Sequence, residues 1–252
     1  MNPPVTDINS LPRRSRVTFY VWVACLIFLT VVLILLGIWQ VERLQWKLDL
    51  IARVDARVHA EPQPAPGAAA WGGINAADDE YRHVTAAGML LNDAETHVYA
   101  STDLGPGYWV LTPLKTGDGT TILINRGFVP TDRRDPRTRP EGQISEPTMV
   151  TGLLRISEPR GTLLRSNVPA DDRWYSRDVA AIASARHLDN VAPYFIDADK
   201  TANPGGLPVG GLTQIVFPNS HLVYAFTWFG MAIMSLGMTG YLIVLDRRRR
   251  SA

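Results

Sequence analysis

Two long uncharged runs frame a polar middle. From Val17 to Trp39 the chain reads VTFYVWVACLIFLTVVLILLGIW, and from Leu222 to Leu245 it reads LVYAFTWFGMAIMSLGMTGYLIVL. At about 1.5 Å of rise per residue the second run makes about 36 Å of helix, enough to cross a hydrocarbon core of about 30 Å with some tilt. A cleaved signal peptide would carry a shorter apolar core and a small-residue cleavage site, so the first run reads as a retained anchor. Downstream of it, QVERLQWKLDLIARVDARVH keeps a helical period, with Leu44, Leu48, Ile51 and Val58 recurring at three-, four- and seven-residue steps. Residues 40–59 therefore extend the first helix. Trp39 and Trp46, one heptad apart, suit the headgroup depth that indoles favour.

Beyond that helix the pattern changes. EPQPAPGAAAWGG over 61–73 breaks the helix and reads as a linker. Short runs rich in β-branched and aromatic residues follow, divided by Gly, Pro and Asp: Tyr81–Leu91, His97–Ser101, Gly107–Leu114, Thr120–Val129, Thr148–Leu154 and Pro193–Ile196. Leu207–Phe217 has the same character and leads into the second span. Such runs predict strands of an antiparallel sheet or small barrel. One helix is expected at Asp178–Leu188, with Ser176 or Asp178 near its start, and the polar, proline-rich stretch 133–147 reads as a loop. The expected fold class is an α+β membrane protein, in which two transmembrane helices flank one mainly antiparallel β domain with a short helix.

Charge assigns the sides. Arg13, Arg14 and Arg16 precede the first span and Arg247–Arg250 follow the second. The bias of Lys and Arg toward the cytoplasm puts 1–16 and 246–252 inside, spans at 17–39 and 221–245, and a domain of 40–220 outside. That domain is long enough to bury its own core. A formal net charge of +1 gives no argument for nucleic acid, and the basic clusters lie against the bilayer. The chain has one cysteine, Cys25, inside the first span. An internal disulfide, a CxxC redox pair and a cysteine-built zinc site are therefore excluded. The segment before the first span contains Asp7 and is unlike a mitochondrial presequence. A bacterial inner membrane, with the domain in the periplasm, is the simplest location.

No GxSxG elbow, Walker loop, HExxH or Rossmann glycine fingerprint is present, so nothing asks to be read as an enzyme's nucleophile or metal centre. Asp78, Asp79 and Glu80 read as a solvated turn, and His59, His83, His97 and His187 as scattered surface or packing histidines. His221 differs because of its neighbours. Tyr224, Thr227 and Trp228 follow at i+3, i+6 and i+7, on roughly one helix face. A neutral imidazole can ligate haem iron axially while aromatic rings pack on the macrocycle. Trp39 and Gln40 close the first span at similar depth, so two helices could bracket a flat apolar ligand. The alternative is that His221 only anchors its helix at the interface. Arg126, in INRGFVP, is a second candidate. Its fork of donors could pair with a carboxylate such as a haem propionate, or play a structural role by pairing with an acidic loop or capping backbone carbonyls.

Three segments resemble one family. GIWQVERLQWKLDLI (Gly37–Ile51), the pair YWVLTPL and ILINRGFVP, and NSHLVYAFTWFGMA (Asn219–Ala232) resemble the opening, central and closing motifs of the Surfeit locus protein 1 family, in the same order and with the same two-helix topology. Ser220 departs from the pattern, since an Asn commonly precedes the His. The resemblance implies an assembly factor for haem-copper oxidases of the cytochrome c oxidase type. It also implies haem a as a bound group, with His221 as axial iron ligand and Trp228 beside it. Tyr224, Trp39 and Arg126 complete the expected site. The implied partners are the oxidase catalytic subunit, haem a synthase and the lipid bilayer. A haem-free scaffold holding an oxidase subunit intermediate is the competing expectation.

Overall fold

Helix α1 runs from Arg16 to Val58 without interruption and helix α4 from His221 to Ser251; between them lie the short helices α2 (Ala76–Asp79) and α3 (Val179–Ala185). The computed structural model describes residues 16–162, 164–215 and 217–251, so the expected N-terminal segment, with Arg13 and Arg14, lies outside the described residues. The chain divides into a helical unit, made of its two ends up to Ile51 and from Phe217, and a β unit spanning Ala52–Val216.

In the helical unit both helices are long and apolar enough to cross a membrane. Each buries one narrow stripe. On α1 it is Thr30, Leu33, Gly37 and Gln40, and on α4 Ala225, Ala232, Ser235 and Thr239. Steps of three, four and seven residues keep each set on one face. Most of these side chains are small, which lets two membrane helices approach closely. Thr30 Oγ1 lies 2.9 Å from Ser235 Oγ, and the Ser235 hydroxyl also reaches the Leu26 carbonyl at 3.2 Å. At Gly37 an added Cβ would stand 2.5 Å from the Phe229 ring. The outer faces stay apolar, with Phe28, Leu35, Phe226 and Ile233 all exposed.

Among the described residues the β unit contains seven strands: β1 (Gln63–Pro64), β2 (His83–Leu90), β3 (Thr96–Thr102), β4 (Gly105–Thr116), β5 (Thr121–Pro130), β6 (Thr148–Ile156) and β7 (Val191–Ala198). Their order is β1-β2-β6-β7-β5-β4-β3, and β2 also pairs with β4. That pairing closes β2, β6, β7, β5 and β4 into a ring, with β1 and β3 appended outside it. Pairs β2–β4, β2–β6, β3–β4, β4–β5 and β6–β7 are antiparallel, whereas β1–β2 and β5–β7 are parallel.

Alternation along the central strands feeds two cores. Ile122 and Ile124 of β5 and Tyr194 and Ile196 of β7 point into the ring, against Val84, Leu114 and Leu154. Their neighbours Leu123 and Phe195 point outward onto Val179 and Ile182 of α3 and onto Trp174. Both strands are thus covered on both faces, which is why they read as continuous apolar runs rather than alternating ones. Asp178 caps α3, its carboxylate accepting from the Ala181 N–H at 3.1 Å.

Two expectations need correction. The described residues of 207–217 form no strand. Among them only Val209 makes a β-bridge, exchanging two 2.9 Å backbone bonds with Phe128. Pro208 has no N–H to give, and Gly211 turns the chain with φ +71. The partner side is adapted to this contact: Gly127 has φ +125, and a Cβ there would stand 2.1 Å from the Val209 carbonyl oxygen. The 61–73 segment, in turn, is no free linker. It supplies β1, and Trp71 packs on the inner core while its indole N–H joins the Tyr194 hydroxyl on the Pro66 carbonyl, at 2.9 and 2.7 Å.

Candidate functional site

His221 is the first residue of α4, and its Nδ1 lies 2.8 Å from Oε1 of Gln40 on α1. A carbonyl oxygen only accepts, so the proton of a neutral His221 sits on Nδ1 and the Nε2 lone pair is left over. Nε2 has no partner among the described residues. Gln40 is only 8% exposed and continues the buried stripe of α1. One imidazole therefore meets one amide across the helix pair, at the end of both buried stripes.

The aromatic candidates distribute unequally around this point. Trp228 lies on the same side of α4 as His221, and its indole Nε1 is buried without a hydrogen-bond partner among the described residues. Tyr224 stands at the edge of that side, 51% exposed. Trp39 is not brought together with His221. One residue is about 100° of helix turn, so with Gln40 in the buried stripe Trp39 turns away, and it is 53% exposed. Below it, the Arg43 guanidinium lies over the Trp46 ring at 4.2 Å and Lys47 Nζ over Phe217 at 5.2 Å. Sequence reasoning placed Gln40 at the right depth but did not single it out. The available signal was its three-residue step from Gly37.

Arg126 takes the structural alternative, capping a backbone carbonyl. It does not project outward to meet a carboxylate but lies inside the β unit, 3% exposed. Its Nη2 donates to the Gly142 carbonyl at 2.6 Å and to Asn203 Oδ1 at 3.0 Å, while Nη1 has no partner among the described residues. Burial pushes its pKa down to about 10; the Glu95 charge works against that and the Arg139 charge adds to it. The guanidinium remains charged at neutral pH. The strand end that carries it is crossed by the 207–211 segment at Gly127.

Beside it lies a cluster that no linear motif announces. Asp197 of β7 accepts from Asn125 at 2.7 Å, Arg155 at 2.8 Å, Arg177 at 3.2 Å and Thr213 at 3.1 Å. These groups floor a cavity of about 460 Å³ in the β unit. Both guanidiniums are also committed elsewhere, Arg155 to Glu80 at 3.2 Å and Arg177 to Glu158. Each guanidinium bridges two carboxylates, so the cluster reads as a structural lock on neighbouring strand ends.

Two helices long and apolar enough to cross a membrane, a β-barrel-like domain lying between them in sequence, and a histidine opening the second helix define a class: a barrel domain flanked by two apolar helices. The SURF1 family matches residues 27–233. The chain is 36% identical over 212 residues to Surfeit locus protein 1 of Rattus norvegicus, covering 78% of this chain and 67% of the rat protein. To the Homo sapiens protein of that name it is 35% identical over 240 residues, covering 88% and 77%. A SURF1-like protein of Monosiga brevicollis is 36% identical over 220 residues, covering 82% of each. The chain belongs to the SURF1 family.

Proposed function

We propose that the chain is a non-catalytic assembly factor for a haem-copper terminal oxidase of the cytochrome c oxidase type. In this reading it holds haem a as cargo at the outer membrane face before the cargo passes to the catalytic subunit. Family membership supports the assembly role. One observation carries the cargo role: His221 is fixed through Nδ1, and its Nε2 is unengaged among the described residues.

The residues present fit a haem. Nε2 of His221 is a neutral donor suited to an axial position. The exposed Tyr224 ring gives an apolar wall, and Trp228 lies on the same side of the helix. Bound haem supplies an iron that accepts one imidazole nitrogen; this chain's residues orient that nitrogen and bracket the ring. This reading gives Arg126 no part, because its guanidinium lies inside the β unit with Nη2 engaged by Gly142 and Asn203. The basic residues at both chain ends support cytoplasmic termini and a periplasmic β domain in a bacterial inner membrane.

The test is an optical spectrum and pigment extraction of detergent-purified protein made alongside haem a synthesis. A haem spectrum that His221→Ala diminishes is the expected result. An unchanged spectrum at equal protein rejects the ligand assignment. Co-purification of the oxidase catalytic subunit regardless of haem a synthesis would favour the haem-free scaffold, and haem-dependent association argues against it.

A further inference from the structure

Resting on the ligand reading above, we infer that Gln40 is a positioning residue. It decides which nitrogen of His221 is offered to iron and keeps that nitrogen a modest donor. The geometry carries the first half. The contact is 2.8 Å long, and the amide as oriented presents its oxygen, so the ring is held in the tautomer with Nε2 free. The chemistry of the amide carries the second half. An iron-binding histidine commonly donates its other N–H to a carboxylate, which raises the basicity of the ligating nitrogen. A neutral amide raises it less. A protein that must surrender its cargo gains from that weakness, and a carboxylate at position 40 would work against release.

Gln40 is also held in place. It ends the α1 stripe that includes Thr30, Leu33 and Gly37. That stripe is pinned to α4 at two levels, by the Thr30–Ser235 hydroxyl pair and by the close fit of Gly37 against Phe229. The amide therefore has little freedom to turn away, and the imidazole it holds is presented at a constant angle.

The experiment uses full-length protein in detergent, as wild type, Gln40→Leu, Gln40→Glu and His221→Ala. Near-UV circular dichroism checks the fold of each. In haem-free protein, ¹⁵N-histidine NMR should find the His221 proton on Nδ1 in wild type and a tautomer mixture in Gln40→Leu. In haem-loaded protein, Gln40→Leu should lose haem to an excess of apo-globin about tenfold faster or more, the scale seen when such supporting groups are removed. Gln40→Glu should release haem more slowly and show a lower midpoint potential. A proton on Nε2 in wild type overturns the inference, as do release rates and potentials that neither Gln40 variant moves while the spectrum still depends on His221. If His221→Ala keeps the wild-type spectrum, the ligand reading itself falls and takes this inference with it.

Discussion

Glu95 and Arg139 form a bidentate ion pair in which each side chain is only 2% exposed. One arm of the fork, Nη1 to Oε2, measures 3.1 Å; the other arm reaches Oε1, which also meets His97 Nε2 at 2.7 Å. Removing one member of a buried pair strands the other charge, at a cost of about 3–5 kcal/mol. Arg139→Met should lower stability by about that amount in urea unfolding of the detergent-solubilised protein. The double variant Glu95→Leu with Arg139→Met should lose clearly less than the sum of the single changes, because no unpaired charge remains. Additive losses would mean that the two groups do not depend on each other.

Stability should fall on both sides of neutrality, for opposite reasons. Burial raises the pKa of Glu95, but hydrogen bonds from His97 and Arg139 and the Arg139 charge outweigh it, so the group titrates below its ordinary range. Glu158 behaves likewise beside Arg177. A depressed carboxylate contributes stability above its unfolded pKa and loses it as pH falls through the lower folded value. His83 is the mirror case. Burial disfavours its charge, yet Asp199 and the Ala60 carbonyl, each 2.9 Å from a ring nitrogen, raise its pKa overall. Its stabilisation is complete below the ordinary histidine range and drains as pH rises through the raised value. Melting temperatures across a pH series should show both slopes, and His83→Gln should flatten the alkaline one alone. An unchanged alkaline slope in that variant would remove His83 as its cause.

Much of this architecture is legible in hydrophobic pattern. The six runs starting at Tyr81, His97, Gly107, Thr120, Thr148 and Pro193 each overlap a strand, Asp178 caps the helix expected after it, and both long apolar runs are helical. What local pattern does not carry is long-range. Ring closure depends on β2 meeting β4, which no local signal encodes. Leu207–Phe217 has strand composition, but its Pro and Gly residues limit pairing to Val209. Arg139 sits in a polar loop and is buried only because Glu95, forty-four positions earlier, is inside. At the helix ends the choice between Trp39 and Gln40 is one residue of phase. Aromatic bias favoured Trp39, whereas the small-residue stripe through Gly37 selects Gln40.

Gly37 is expected to be intolerant of bulk. A Cβ there would stand 2.5 Å from the Phe229 ring, so Gly37→Leu must push the two helices apart or force the ring aside. Overpacking of this kind costs about 1–3 kcal/mol. The same displacement would lengthen the Gln40–His221 contact one turn away. Reduced thermal stability in micelles, together with reduced haem content, should appear in Gly37→Leu. Phe229→Ala should restore part of both in the same background. Absence of any rescue would show that the loss does not run through this contact.

Arg126 separates the two roles that a motif arginine can play. In the barrel domain it donates to the Gly142 carbonyl and to Asn203. Arg126→Met should leave those acceptors buried and unmet, at about 1–3 kcal/mol for such a loss. Arg126→Lys should recover less than its charge suggests, since a compact ammonium cannot span two acceptors as the planar fork does. Neither change should alter the haem spectrum per folded protein when measured well below the melting temperature, because the guanidinium is committed inside the β unit. A folded Arg126→Met protein that has lost its haem would reverse this assignment and return Arg126 to the role of a propionate partner.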